Sequence, residues 1–394
     1  MTYKLNAAIA LASNSPGAAT GYGVQAQYLA EKLLQNSAKV ASLSNYGLEG
    51  RFDTIKTKHG EIAHYPRGHS LYSEDVMGLW ANDFASKHPT LKPFLVTLYD
   101  VWVLNNLKYD GEIISWVPLD HITLPPEVAK FLLRSNVTPI TMSPHGQRQL
   151  GENGIDSTYI PHAIDTKVFK PTYEFQGKPI REFLGISDDA FLVTMVQANK
   201  ANSIVHRKAL AEQLLGFALF RQQRPNSYLY IHSEPSRVYG GFDLGRLLKA
   251  VGLDDSCVLI ADSDQLRVGY PQEFLAAVYT ASDVLLACSY GVGFGVPVVE
   301  AQACGTRVIT SGFAATEDLA SDDSWIVGGQ PFWDEPQGAF FQIPFLESII
   351  GALNLAYDAP RGLSQPSIDF AKQFDVDTVW NNYWLPFWKE RLGN

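Results

Sequence analysis

The sequence predicts an α/β protein of two Rossmann-like domains facing across a cleft. Three observations lead there. Short apolar runs alternate with helically spaced segments, which implies parallel strands joined by right-handed crossovers. The alternation runs once from Leu5 to His162, stops over the polar, proline-bearing stretch 166–185, and restarts at Ala190. Twice, a strand-like run leads into a glycine-bearing loop that opens a helix, at Gly21-Tyr22-Gly23 and at 291–295. The domains are therefore placed at 1–165 and 186–372, with 166–185 as linker. Residues 373–394 form a helix expected to cross back to the first domain, because Trp380, Tyr383, Trp384, Phe387 and Trp388 give it an aromatic stripe.

Composition narrows the classes. Of the 394 residues, 46% are apolar, enough for large cores and against disorder. A net charge of -10 argues against a broad surface for nucleic acid or anionic membrane. The three cysteines form no CxxC pair, as in cytoplasmic proteins. The first residues lack a signal-peptide pattern, and no apolar run is long enough to span a bilayer, so a cytoplasmic chain is expected.

In the first half, Leu5–Leu11 reads as a buried strand followed by the Gly21–Gly23 loop and a helix from Val24. The loop lacks the GxGxxG spacing, so a nicotinamide cofactor is not indicated, and a plain Gly-Tyr-Gly turn is the competing reading. Pro93–Asp100 and Ile113–Asp120 are strands ending in acids. Ligands in open α/β sheets bind beyond the carboxyl ends of strands, which places Asp100, Trp102, Asp120 and His121 on a cleft wall. Each acid could equally cap a helix or turn.

In the second half, Val284–Cys288 is a strand and Gly291, Gly293 and Gly295 let the following loop turn sharply. Pro297 fits the first helical position. Such a loop and helix N-terminus bind anions. Glu300, about one turn in, suits sugar hydroxyls better than phosphate, unless it is an exposed residue of an ordinary turn. Across the sheet, Gln197–Lys208 puts Asn199 and Lys200 at a strand end and Arg207 and Lys208 at a helix start, where cations oppose the dipole and so suggest a bound anion. A solvated basic turn is the alternative. Asp262-Ser-Asp264 and Asp375-Val-Asp377 spell DxD but lie in a loop and at a helix start, and His145 and His162 lack partners at ligand spacing, so no metal is expected.

Residues 160–360 resemble a family 4 glycosyltransferase, a retaining enzyme of the GT-B fold, in a bacterial and phage-like branch. The likeness rests on Val292-Gly-Phe-Gly-Val-Pro-Val-Val-Glu-Ala-Gln-Ala-Cys-Gly305, Tyr279-Thr-Ala-Ser-Asp283, Ile160-Pro-His-Ala-Ile-Asp-Thr-Lys-Val-Phe-Lys-Pro171, Asn199 with Arg207-Lys208, and Gly328-Gly-Gln-Pro-Phe-Trp-Asp334. The resemblance implies metal-independent transfer of a hexose from a UDP- or GDP-sugar, with no further cofactor. The acceptor, whether glycan, protein, lipid or nucleic acid, is left open. It assigns the ribose hydroxyls to Glu300, the phosphate or sugar to the backbone of Gly293, Phe294 and Gly295, and the leaving diphosphate to Arg207 and Lys208. Gly21, Tyr22 and Gly23 would approach the donor, and Asp100 and Asp120 would lie near the sugar and acceptor. Two positions depart from the pattern. Val292 stands where the first Glu of Glu-x7-Glu is expected, and Asp318, beside Glu317, replaces a later Glu. Val292 raises the alternative of a degenerate GT-B protein that binds a nucleotide sugar or a partner without turnover.

Overall fold

Ala7–Ser13 forms β1, and every one of its residues is buried. Small apolar side chains on both faces are what a central parallel strand requires. The computed structural model describes residues 3–47, 51–201 and 205–393. Asn202, Ser203 and Ile204, part of the basic stretch above, and Met1 and Thr2 lie outside the described residues. The chain forms two compact units, Met1–Ala163 with Glu335–Ala339 and Val376–Asn394, and Ile164–Asp334 with Phe340–Asp375.

In the first unit β1 is followed by α1 (Gly21–Gln35), β2 (Lys39–Ser44), β3 (Asp53–Thr57), β4 (Gly60–Tyr65), α2 (Glu74–Ser86), β5 (Lys92–Leu98), β6 (Ile113–Val117), α3 (Pro126–Leu132), β7 (Val137–Thr141), α4 (Pro144–Glu152) and β8 (Thr158–Tyr159). The sheet order is β3-β4-β2-β1-β5-β6-β7-β8. All neighbours are parallel except the β3–β4 hairpin. Of that hairpin the sequence shows only the strand at 61–65; β3 and α2 escape it, β3 because it is mostly exposed and polar and offers no buried apolar run. The order reverses between β1 and β5, so the crevice beyond their carboxyl ends is a topological switch point, where such sheets bind ligands.

The C-terminal segment belongs to this unit. It is helical from Val376 to Leu392 but not uniformly α, since Trp380–Trp384 is wound as a π turn. The extra residue re-phases the helix and brings its indoles into the core. Trp384 stands edge-on to Trp116 at 5.1 Å, and Trp388, fully buried, stands edge-on to Phe94 at 5.3 Å. Replacing so large a buried ring leaves a cavity, and we expect Trp388→Ala to cost about 3–5 kcal/mol, read as a lower urea midpoint.

The second unit begins with β9 (Glu174–Phe175), β10 (Lys178–Pro179) and α5 (Ile180–Phe183). The stretch read as a linker is therefore folded. Phe175 and Phe183 pack edge-on to each other and to Phe274. Next come β11 (Phe191–Val196), α6 (Leu210–Gln223), β12 (Ser227–His232), α7 (Leu244–Ala250), β13 (Val258–Ile260), α8 (Ser263–Val268), α9 (Gln272–Ala281), β14 (Val284–Ala287), α10 (Val296–Ala303) and β15 (Arg307–Ser311). β16 (Trp325–Val327), the two-stranded sheet of β17 (Gly329–Asp334) and β18 (Ala339–Pro344), α11 (Leu346–Asp358) and α12 (Gln365–Ala371) complete it. The main sheet runs β13-β12-β11-β14-β15-β16, all parallel, and its switch point lies between β11 and β14.

At the amino edge of this sheet Asp283 is held by Arg181 at 3.0 Å and by Arg361 at 2.9 Å, and accepts from the Leu192 amide. A cavity of about 380 Å³ opens there. The guanidinium groups on it also donate to backbone carbonyls, so this cluster is a clamp joining strand starts.

Candidate active site

The loops leaving β11 and β14 flank the switch point of the second unit, and they hold most of the expected donor residues. After β14 the chain passes through the glycine loop to Gly295, which occupies the cap position of α10 at φ 116°. A left-handed backbone there favours glycine. Pro297 falls in the first turn, one residue beyond the position expected of it.

Neighbours tie the loop down. Cys288 N–H donates to Gln213 Oε1 at 3.0 Å, and Ser289 N–H to Ser311 Oγ at 3.0 Å. The Tyr290 amide donates to the Arg207 carbonyl at 2.8 Å. Arg207 Nη1 in turn donates to the Gly291 carbonyl at 2.9 Å. Held this way, the N-terminus of α10 turns the positive end of its dipole to the loop, suited to an anion, although Pro297 has no N–H and the Val298 amide already donates to the Gly295 carbonyl at 2.9 Å.

Arg207 and Lys208 do not open the helix, as their sequence position suggests. They stand in the turn ahead of it, because Ala209 takes a left-handed backbone at φ 50° and α6 starts at Leu210. Gln213 explains the turn. Its Nε2 donates to the Lys208 carbonyl at 2.7 Å and the Ala209 carbonyl at 3.2 Å. A Gln among the Leu and Phe residues of α6 is a visible signal of a buried polar tie, one that the motif pattern does not include.

Asn199 is buried and its carboxamide is turned to the loop after β12. It donates to the carbonyls of Glu234 at 2.8 Å and Phe242 at 2.7 Å and accepts from the Phe242 amide. The side chain therefore shapes the edge of the site. Phe294 is buried and stands edge-on to Phe374 at 5.6 Å. Val292 is also buried, and its carbonyl accepts from Ala315 N–H at 3.4 Å. Glu317 is exposed and Asp318 half-buried on the 3₁₀ turn Ala314–Leu319.

Glu300 is buried, not an exposed turn residue. Tyr279 Oη donates to its Oε2 at 3.1 Å. Burial pushes its carboxyl up to about 7, and the Tyr279 bond only partly offsets the shift. An acid with this midpoint passes between carboxylate and carboxyl near neutral pH. Tyr279 belongs to the motif segment Tyr279–Asp283, but nothing in the sequence announces that its hydroxyl meets Glu300.

In the first unit, Gly21, Tyr22 and Gly23 form the first turn of α1. Thr20 caps it, with Oγ1 accepting from Gly23 N–H at 3.0 Å. A Cβ on Gly23 would lie 2.4 Å from the Ala18 carbonyl oxygen, whereas Gly21 borders open space. Gly23 is thus required by the turn, and Gly21 leaves room beside the backbone. Tyr22 Oη donates to Asp100 Oδ2 at 3.3 Å, across the β1/β5 switch point. Asp100 occupies a cap position ahead of the 3₁₀ turn Val101–Leu104 but makes no capping bond. Asp120 Oδ1 meets His121 Nδ1 at 2.8 Å, and His145 Nε2 lies 2.9 Å from the His121 carbonyl. Both acids therefore contact side chains beyond their strand ends.

The DxD pairs have structural uses. Asp262 caps α8 by accepting from the Asp264 and Gln265 amides, and Asp375 accepts from the Thr166 hydroxyl. His162 is packed edge-on against Trp116, and burial pushes its imidazole down to about 3. No group of three or more metal-binding side chains occurs among the described residues. No helix among them is long and apolar enough to cross a membrane.

Nearly the whole chain superposes on solved structures. Sucrose-phosphate synthase from Thermosynechococcus elongatus matches with a TM-score of 0.73 at 18% identity, over 98% of this chain and all of that one. HepE from Anabaena, solved with UDP and glucose, matches with a TM-score of 0.62 at 14% identity, over 95% of this chain and 98% of that one. The fold is GT-B. Within it, residues 248–331 match the family Glycosyl transferases group 1, a span that includes the glycine loop and Glu300. Curated relatives include a D-inositol 3-phosphate glycosyltransferase of Stackebrandtia nassauensis, 28% identical over 71% of this chain and 54% of that protein. Another, from Mycobacteroides abscessus, is 37% identical over 19% of this chain and 17% of that protein. The chain thus matches 54% or less of the length of these relatives.

Proposed function

We propose that the chain is a retaining, metal-independent glycosyltransferase that moves a hexose from a nucleoside diphosphate sugar to an acceptor. The observation that carries this reading is the constellation at the β11/β14 switch point. Arg207 is bonded to the carbonyl of Gly291, the glycine loop opens α10, and the Glu300 carboxyl lies one turn further on. The diphosphate would take the loop amides and the Arg207–Lys208 charges, and Glu300 would accept from the ribose hydroxyls. As the sugar leaves, charge grows on the diphosphate, which is where fixed cations act. Asp100 and Asp120, with their Tyr22 and His121 contacts, would serve the sugar and acceptor.

Calorimetric titration with UDP- and GDP-sugars tests the donor site, and the expected result is binding of one of the two. Glu300→Ala should weaken it by about tenfold or more, the scale of lost hydrogen bonds to a charged group. No binding of either nucleotide by the intact chain ends the reading. Val292 bears on turnover. We expect the natural chain to consume its donor, since Val292 leaves the glycine loop and Glu300 in place. Binding without turnover, with turnover gained in Val292→Glu, would make the chain a binder instead.

A further inference from the structure

The hydroxyl of Tyr279 is a buried donor aimed at Glu300, and the transfer chemistry above gives it no role. Tyr279 sits near the end of α9, is fully buried, and is fixed at its backbone by the Ser282 amide and the Thr306 hydroxyl, both donating to its carbonyl. Its ring is therefore anchored independently of any ligand. Its Oη reaches one carboxylate oxygen, Oε2, at 3.1 Å.

We propose that Tyr279 is a positioning residue: its hydroxyl fixes the Glu300 carboxyl so that Oε1 accepts from the vicinal hydroxyls of a donor ribose. This rests on the reading that Glu300 meets the donor. An anchored phenol removes rotational freedom from a carboxyl that must otherwise be ordered on binding. It also favours the carboxylate over the carboxylic acid, because a hydrogen bond to the charged form stabilises that form. With Oε2 held by Tyr279, the ionised carboxyl keeps both lone pairs of Oε1 free for a diol, whereas a proton on Oε1 would turn it into a donor.

The surroundings leave this role to Tyr279. Burial raises the phenol well above its ordinary range, so it is a constant donor. Cys304, one turn along α10, is likewise pushed up and stays a neutral thiol. The charged groups of the other packed elements are engaged elsewhere. Asp369 of α12 bonds Lys372 and Gln365, Arg307 of β15 bonds Asp323, and Glu317 on the 3₁₀ turn is exposed. Asp318 of the same turn is half-buried. Neither it nor any of these is among the causes that shift Glu300, which are burial and Tyr279.

The test uses the full chain and Tyr279→Phe. UDP and GDP are titrated by calorimetry between pH 6 and 9. The variant should bind the preferred nucleotide roughly 10–150-fold more weakly at pH 7, the range of one lost hydrogen bond to a charged partner. The loss should shrink as pH rises and the carboxylate forms unaided. In ligand-free protein labelled at glutamate carboxyl carbons, with Glu300 assigned by Glu300→Gln, the titration midpoint should move upward in Tyr279→Phe. Glu300→Asp, which withdraws the carboxyl without touching the phenol, should reproduce the weaker binding and guards against a misfolded Phe variant. An unmoved midpoint, or a loss of affinity equal at every pH, overturns the proposal while leaving the donor reading intact. Failure of the intact chain to bind either nucleotide removes both.

Discussion

Glu300→Gln is expected to make the protein more stable above neutral pH while weakening nucleotide binding. The carboxyl of Glu300 has an ordinary value of 4.5 and stands at about 7 when folded. Between these values the folded state holds a proton that the unfolded state has released. Stability then falls as pH rises through this window and is level above it. At 1.36 kcal/mol per unit, the decline amounts to roughly 2–4 kcal/mol. Glutamine keeps the shape and an oxygen for the Tyr279 hydroxyl but has no charge to desolvate. Melting curves from pH 4.5 to 8.5 should thus show the natural chain losing ground to the variant up to about pH 7, with the variant melting a few degrees higher beyond that. Equal melting temperatures at pH 8 would mean that the folded carboxylate is solvated or paired. The expected trade is the mark of a binding group: a buried acid with one hydrogen bond weakens the fold, and a ligand that bonds to it restores the difference.

Much of this site is legible in the amino-acid sequence, and the reason is local. Gly291, Gly293, Gly295, Pro297 and Glu300 lie within ten residues, so strand, loop and helix geometry alone bring them to one edge. Arg207 and Lys208 join them in the sequence only through the assumption of a parallel sheet. The strand order turns that assumption into a location, since β11 and β14 are neighbours with the crossover reversing between them. The same reversal between β1 and β5 explains why Tyr22 and Asp100, 78 residues apart, share a hydrogen bond. Strand order is set by long-range packing and leaves no trace in a short window. The carboxamides of Asn199 and Gln213 are unreadable for a related reason. A polar side chain in an apolar run shows that a partner exists, but only the folded backbone shows that Asn199 serves the 234–242 loop and Gln213 the turn at Lys208. The hairpin of β17 and β18 is hidden although Gly328–Asp334 stands out as a motif, because its aromatic residues divide between two faces: Phe341 is buried with Phe313 and Ala314, while Trp333 and Phe340 are exposed.

Arg207 and Lys208 should fail in different ways when removed. Both stand in the turn ahead of α6, and Arg207 is bonded to the glycine loop through the Gly291 carbonyl at 2.9 Å. Lys208 lends its carbonyl to Gln213, a bond that alanine preserves. Lys208→Ala therefore takes away the charge while keeping this backbone tie. If that charge acts on the leaving diphosphate, whose negative charge is greater in the transition state than in the bound donor, kcat should fall by about 10²–10³. The affinity for the intact nucleotide sugar should change far less. Arg207→Ala takes away charge and tether together, so donor affinity and kcat should fall in company. Steady-state rates with matched donor-binding isotherms separate the two patterns. A Lys208→Ala variant that binds its donor more weakly at unchanged kcat would show that the lysine grips ground state and transition state alike. The stabilisation of the departing diphosphate would then have to be sought in Arg207 and in the positive dipole end of α10.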